Sequence, residues 1–488
     1  MSRDVVVIGA GFGGLSTAIL LARLGVKVTL VEGEPRPGGC LRSYTREGID
    51  CPVGVHYIGA AAPGEVLGDF LDLLGMRSAL KLRRLGKSGI IDRYIFDDEV
   101  FDLPDTIEKF EASLARRFAE SPAAVAFVIN LCRAAAAGLR SESTPSRSTP
   151  PITKNAAEFL ADKNLPDRLV DLMAVQGFLL GANLSDCPAP FLSIVTASLL
   201  MSAWELGCTG SAMADALADR AREAGVKLIV GDPVVAVDVE NGGASGVRLL
   251  SGTAISAATV VAAIHPKTLA EMVPHEAFPP SYREGLGRLQ ETLGILCVVA
   301  LVNELHHPAA DHNVFRLRGH PRQKLEGIYA QLRPSGRPGT SRLTILRESL
   351  YADWSAWHDT RTGQRGPAYR AEKARQAQQA LREVEGAIGP VHDAQIIDTW
   401  TPLTLRDWVG APQGGTYGVR HSIRDGLDYL VLSRPPLDRL FLVGQNAIAP
   451  GLLGVSMGVL RVVATLAGRE ALRELMANNR KAYPLGDV

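Results

Sequence analysis

The first thirty-two residues alternate between two hydrophobic patterns. Val5-Val6-Val7-Ile8 is an unbroken apolar run of strand length, as in a strand buried on both faces. Ala and Leu then recur at helical spacing over 15–24, and 26–31 returns to a strand pattern. Residues 33–60 are rich in Gly and Pro and predict loop, whereas 64–140 predict mostly helix. The Ser-, Thr- and Pro-rich stretch 141–151 cannot bury enough apolar surface to order itself, so 140–153 is expected to be a mobile surface loop. Helical patterns resume over 153–204. A turn at 207–210 leads to a helix over 211–223, then strand-like runs at 227–230, 234–239, 245–250 and 260–264. Residues 266–415 mix strands, such as 295–302, with a charged helix around 371–387. The chain closes with a strand at 440–443, a turn at Gly444 and a helix from Val455.

This order predicts an α/β (α+β) protein whose first and last segments share one domain. Residues 1–85, 205–265 and 416–488 form a discontinuous nucleotide-binding domain in this reading. Residues 86–204 and 266–415 form an inserted mixed-sheet-plus-helices substrate domain. Length agrees, since 488 residues exceed what one growing core accommodates. Lys plus Arg number 52, as do Asp plus Glu, so no net field favours nucleic acid. The N-terminal run lacks a charged leader and a small-residue cleavage site, which argues against a signal peptide. The cysteines at 40, 51, 132, 187, 208 and 297 include no C-x-x-C pair, so neither a disulfide framework nor a metal site is expected; free thiols fit a cytoplasmic protein. No segment reaches the roughly 18 to 20 uninterrupted apolar residues that span a bilayer. The nearest, 189–204, is interrupted by Pro190 and several hydroxyl side chains and predicts a buried or groove-lining helix. Peripheral membrane contact stays open.

The chemistry begins at Gly9-x-Gly11-x-x-Gly14, with Phe12 and Gly13 inside it, between the first strand and the first helix. The first glycine permits a tight turn, the second lets backbone approach a pyrophosphate, and the third lets the helix pack on the strand. Glu32 ends the second strand, followed by Gly33, where a carboxylate accepts ribose hydroxyls. A second glycine turn, Arg36-Pro37-Gly38-Gly39-Cys40-Leu41-Arg42-Ser43, offers backbone N–H groups and two arginines to a phosphate. It resembles the R-x-G-G-x-x-R-S loop of glutathione-reductase-like flavoproteins, which implies FAD. Near the C-terminus, Gly444-Gln445 is placed to meet a ribityl chain. A helix start at Gly454, Val455 and Met457 would aim N–H groups at the flavin's pyrimidine edge. No second strand-embedded fingerprint marks an NAD(P) domain.

These elements together resemble the phytoene desaturase superfamily of FAD enzymes, on the side of its retinol saturases and carotenoid isomerases. The most specific stretch, Gly48-Ile49-Asp50-Cys51-Pro52-Val53-Gly54-Val55-His56-Tyr57-Ile58-Gly59, is similar to the G-x-x-F-D-x-G-x-H-Y-I-G segment of retinol saturases, with one residue displaced after Asp50. The resemblance implies that Val55 and His56 approach the flavin and that Val234 contacts the adenine through its backbone. Thr401-Pro402-Leu403-Thr404 and Gly414-Gly415-Thr416-Tyr417-Gly418 resemble further saturase segments, and His265 stands where an Asp is common. The implied substrate is a conjugated polyene or isoprenoid in a tunnel, with Trp400 and Tyr417 as lining candidates or, equally, core packing.

The leading reading is a flavoenzyme that reduces, isomerises or reductively cyclises such a substrate; saturation needs a proton as well as a hydride, and His56 and Tyr57 are the candidates, though both could instead be structural. The electron donor is open among NAD(P)H, a quinone and other external partners. The rival readings are an oxidative carotenoid-type desaturase passing electrons to quinone or oxygen, a flavin amine oxidase, and an idle flavin-bound partner protein. The cation-rich run 315–342 reads as a solvated face, with an anionic lipid or acidic carrier as the alternative.

Overall fold

The structure is a computed structural model that describes residues 4–97, 99–140, 154–319, 325–420, 422 and 432–482. The expected loop 140–153 therefore falls almost wholly outside the described residues. The opening apolar run is the middle strand of a five-stranded parallel sheet, in the order Lys227–Val230, Val28–Glu32, Val5–Ile8, Thr259–Ala262, Leu440–Leu442. Alternate side chains of that strand enter different cores. Val5 and Val7 pack with the helices Phe12–Arg23, Gly210–Glu223 and Gly451–Ala467. Val6 and Ile8 pack with Val237 and Val247 of the antiparallel layer on the other face. Burial on both sides explains why the run shows no polar alternation.

The second large sheet has seven strands, in the order Gln395–Trp400, Ile295–Asn303, Thr340–Glu348, Glu326–Pro334, Asn313–Arg318, Ile90–Ile95, Val100–Pro104. Leu296, Val298 and Val302 face the long helix Gly366–Ile388. Cys297, Val299 and Leu301 face Ile49 and Cys51 across the interface with the nucleotide-binding half. Helices Ile107–Arg117, Pro122–Leu139, Asp167–Leu179 and Ala189–Met201 cover the other end. The two halves are thus pressed together along one sheet face, which is where the site forms.

Several segments differ from the sequence expectation. The glycine-rich 33–60 region contains an antiparallel hairpin, Ser43–Arg46 with Ile49–Pro52. Within 64–140, residues Ile90–Ile95 and Val100–Pro104 form an edge hairpin of the large sheet, because alternate residues such as Ile91, Phe101 and Leu103 are buried. The last glycine-associated helix starts at Gly451 rather than Val455. Among the described residues one helix, Pro122–Leu139, is long and apolar enough to cross a membrane. Its buried positions, among them Val125, Val128, Ile129, Cys132 and Ala136, recur three and four apart and join the core.

Candidate active site

The site begins with backbone. A Cβ on Gly14 would lie 1.9 Å from the Gly9 carbonyl oxygen, so helix and strand meet there only because the side chain is absent. A Cβ on Gly13 would lie 3.0 Å from the Cα of Gly444, which brings the first and last glycine segments into direct contact. The second loop joins them when Gly38, at φ 137°, donates its N–H to the Ala10 carbonyl at 2.8 Å. Gly11 differs from its neighbours. A Cβ there would meet nothing nearer than the Gly39 Cα at 4.0 Å, so it borders open space that a pyrophosphate can enter.

Glu32 is aimed by two backbone donors, Ala10 N–H at 2.7 Å and Glu34 N–H at 3.0 Å. Its carboxylate keeps accepting capacity toward the cavity, as a ribose diol requires. Arg42 is fixed by donating to the carbonyls of Trp408 (3.0 Å) and Arg36 (2.7 Å), while its buried Nε has no partner. These groups open on a cavity of about 570 Å³. Gly9, Gly11, Phe12, Gly13, Glu32, Gly33, Gly39 and Arg42 line it, as do Val55, Val234, Gly444, Gln445 and Val455. The residues present fit a bound FAD: a glycine cradle with free room, a held carboxylate, an orphaned guanidinium N–H and the helix Gly451–Ala467 with its N-terminus at the wall.

Other candidates lie elsewhere. Gly14, Gly38 and Gly454 are packing positions behind the wall; a Cβ on Gly454 would come 2.5 Å from the Ala449 carbonyl oxygen. Met457 is partly exposed and outside the lining. Arg36 and Trp400 line a neighbouring cavity, so the two arginines of the second glycine loop diverge and only Arg42 faces the flavin side. Trp400 is buried against the core that holds Cys51 and Cys297.

His56, Tyr57 and Tyr417 line the main cavity, together with Phe178, Leu179, Ile295, Tyr329 and Leu346 from the other half. Both ring nitrogens of His56 are buried without a hydrogen-bond partner. Burial, and then the Arg342 charge, push its pKa down to about 4; Gln331 and the Val53 backbone lie close enough to favour the cation only weakly. The imidazole is therefore neutral at physiological pH. Tyr57 is committed: its hydroxyl donates to Asp92 Oδ2 at 3.1 Å, and its ring stacks on Tyr329 at 6.1 Å.

Asp92 is the residue that the sequence did not single out. It is fully buried and also accepts from Tyr94 (3.3 Å) and from Asn313 Nδ2 (2.8 Å). Burial raises its pKa to about 6, against the lowering effect of those donors. Asn313 Oδ1 in turn accepts from Tyr329, Gln331 and Arg333, and Arg333 pairs with Glu205. Gln331 donates to the His56 carbonyl at 3.2 Å, which ties the network to the cavity wall. The cation-rich run 315–342 supplies part of this network. Arg333 is buried, Arg316 pairs with Asp97 and Arg342 with Asp50, so these three do not form an open basic face.

A parallel nucleotide-binding sheet, glycine segments from both ends of the chain and a facing sheet-plus-helix half define an FAD-dependent oxidoreductase. The family model for flavin containing amine oxidoreductases matches residues 12–458, and the chain belongs to that family, with FAD as its cofactor. All-trans-retinol 13,14-reductase of Danio rerio is 23% identical over 98% of this chain and 89% of its own length. Hydroxyneurosporene desaturase of Cereibacter sphaeroides is 28% identical over 53% of this chain and 55% of its own. An oxidoreductase of known structure from Methanosarcina mazei shares the fold, with a TM-score of 0.64 at 16% identity over 94% of this chain and 99% of that one.

Proposed function

We propose that this protein reduces double bonds of a hydrophobic conjugated polyene or isoprenoid. The observation that carries the reading is the mixed character of one cavity. Its cofactor side is glycine backbone, and its other side is apolar, with Phe178, Leu179, Ile295, Tyr329 and Leu346 beside a neutral, unpartnered His56. Near full-length similarity to retinol 13,14-reductases supports the reductive direction. Similarity to hydroxyneurosporene desaturase keeps the oxidative direction as the second reading. Bound FAD supplies two-electron hydride chemistry.

The protein's own contribution is to hold a planar chain in a dry slot and to present one proton-handling group to it. His56 is the group we assign to contact substrate. Tyr57 is a positioning residue, with its hydroxyl turned into the wall toward Asp92. The residues 1–85, 205–265 and 416–488 would carry the cofactor, and 86–204 with 266–415 the substrate. An external donor such as NAD(P)H or a quinone would supply electrons, and a lipophilic substrate would be met at a membrane surface. The free state of all six cysteines supports a reducing, cytoplasmic setting.

The test is anaerobic. The holoenzyme is photoreduced and mixed with a panel of conjugated polyenes while both chromophores are watched. Flavin reoxidation with a blue-shifted polyene is expected. In a parallel arm that starts from oxidised enzyme, reduction of the flavin on adding the polyene would establish the desaturase direction, and in either arm a changed polyene band over a constant flavin would mean isomerisation.

A further inference from the structure

A second chamber adjoins the flavin cavity and serves none of the roles above. It encloses about 710 Å³ between the loop 34–46, the strand Gln395–Trp400, the helix Pro402–Val409 and the start of the helix Gly366–Ile388. Arg42 and Trp408 form the partition, because both line both chambers and are joined by the Arg42 to Trp408 hydrogen bond.

Three features of its wall point to a ligand of one kind. Tyr44, Tyr369, Trp400 and Leu405 give it an apolar interior. Its charged lining is unbalanced: Arg36, Arg42, Arg46, Arg365, Arg370 and Lys373 face only Glu34, Asp215 and Asp398. Asp398 already pairs with Arg46 and Lys373, Arg42 lies 3.7 Å from Glu34, and Arg365 pairs through Nη2 with Asp407 at 2.5 Å, which leaves the exposed Arg36 and Arg370 with no ion pair among the described residues. Two buried donors also lack acceptors. Trp400 is 3% exposed and its Nε1 has no partner; Arg365 is 8% exposed and its Nε has none. Buried donors are normally satisfied, and an unsatisfied one costs about 1–3 kcal/mol. The two lie in one neighbourhood: the Arg365 guanidinium sits 5.0 Å over the Tyr369 ring, whose hydroxyl bonds Thr401 beside Trp400.

We propose that this chamber binds an amphipathic anion, an apolar body ending in a carboxylate or a phosphate. The apolar body fills the aromatic interior. The head group's oxygens accept from Trp400 Nε1 and Arg365 Nε, and the excess cations select for negative charge. Because Arg42 and Trp408 are shared, an occupant here bears directly on the flavin side. The proposal does not depend on which substrate the flavin reduces.

Calorimetric titration of the oxidised holoenzyme with dodecanoate, dodecyl phosphate and neutral dodecanol, all below their micellar concentrations, tests it. These saturated chains offer no double bond to reduce, so failure leaves the polyene reading untouched. Either anion is expected to bind at least about tenfold more tightly than the alcohol. The stronger of the two anions identifies the head group. Arg370→Ala, at an exposed position, should erase most of that preference, and Trp400→Phe should weaken the anions while keeping the aromatic wall. Equal affinity for anion and alcohol, or anion binding unchanged in both variants, overturns the proposal.

Discussion

The two walls of the flavin cavity are built by opposite means. The cofactor wall works through missing side chains: Gly11, Gly13, Gly39 and Gly444 bring backbone to backbone and leave room between. The facing wall works through side chains that satisfy one another, with Asp92 and Asn313 at the centre of a network drawn from several strands. One wall fails by collision, and the other fails by degrees and with pH.

The largest expected effect separates two roles within the first wall. Gly14→Val places a side chain where even a Cβ would sit 1.9 Å from the Gly9 oxygen, and it should abolish the fold, costing more than about 4 kcal/mol. Gly11→Val meets open space, so that protein should fold, melt near the wild-type temperature and emerge colourless. Melting curves and flavin absorbance read both, and a yellow Gly11→Val protein would remove Gly11 from the cofactor contact.

On the second wall, Asp92→Ala strands the hydroxyls of Tyr57 and Tyr94 and the amide of Asn313 without their acceptor. A loss of about 3 kcal/mol is expected in denaturant titration. Asp92→Asn keeps one acceptor oxygen and should cost less; equal losses would argue that the charge, not the hydrogen bonding, matters. His56→Ala should lower turnover about a hundredfold with FAD still bound and the melting temperature within a few degrees. Unchanged turnover would make His56 a structural residue.

The smallest effect lies in the pH profile. Asp92 titrates near 6 when folded, above its ordinary 3.8, so its contribution to stability is present in acid and lost as pH rises through that interval. His56 titrates near 4 instead of 6.5, so its protonation penalises the fold in acid and the penalty lifts as pH rises. The slopes oppose one another, and wild-type stability should be nearly flat between about pH 4 and 6. Asp92→Asn removes the falling part, leaving a melting temperature that climbs with pH; a flat profile in that variant would refute the pairing.

The same contrast decides what could be read beforehand. The glycine wall is local, since turn, helix and acid follow one another within the first two strands, and their spacing alone singled them out. Asp92 meets Asn313 across 221 positions and sits in a region whose overall pattern reads as helix, so only its period-two relation to Tyr94 in a short strand could have signalled it. Arg36 and Arg42 look equivalent in sequence, but after the turn at Gly38 and Gly39 Arg36 lines the second chamber alone while Arg42 reaches both. Trp400 stood as a candidate for the tunnel wall or for core packing. Its pairing opposite Cys297 puts it in the core beside Cys51 and on the second chamber. The hidden cations at 316, 333 and 342 follow the same rule, as strand residues whose partners lie on other elements.

The contact of Gly13 with Gly444 has a consequence in time. A ribosome delivers the fingerprint more than four hundred residues before the strand Leu440–Leu442 with its glycine turn, so the cradle has an open side until that strand is made. Complete closure of the cradle then waits until the late strand docks. The cofactor would act as a latch that fastens two segments far apart in sequence, rather than as a seed around which the early chain condenses.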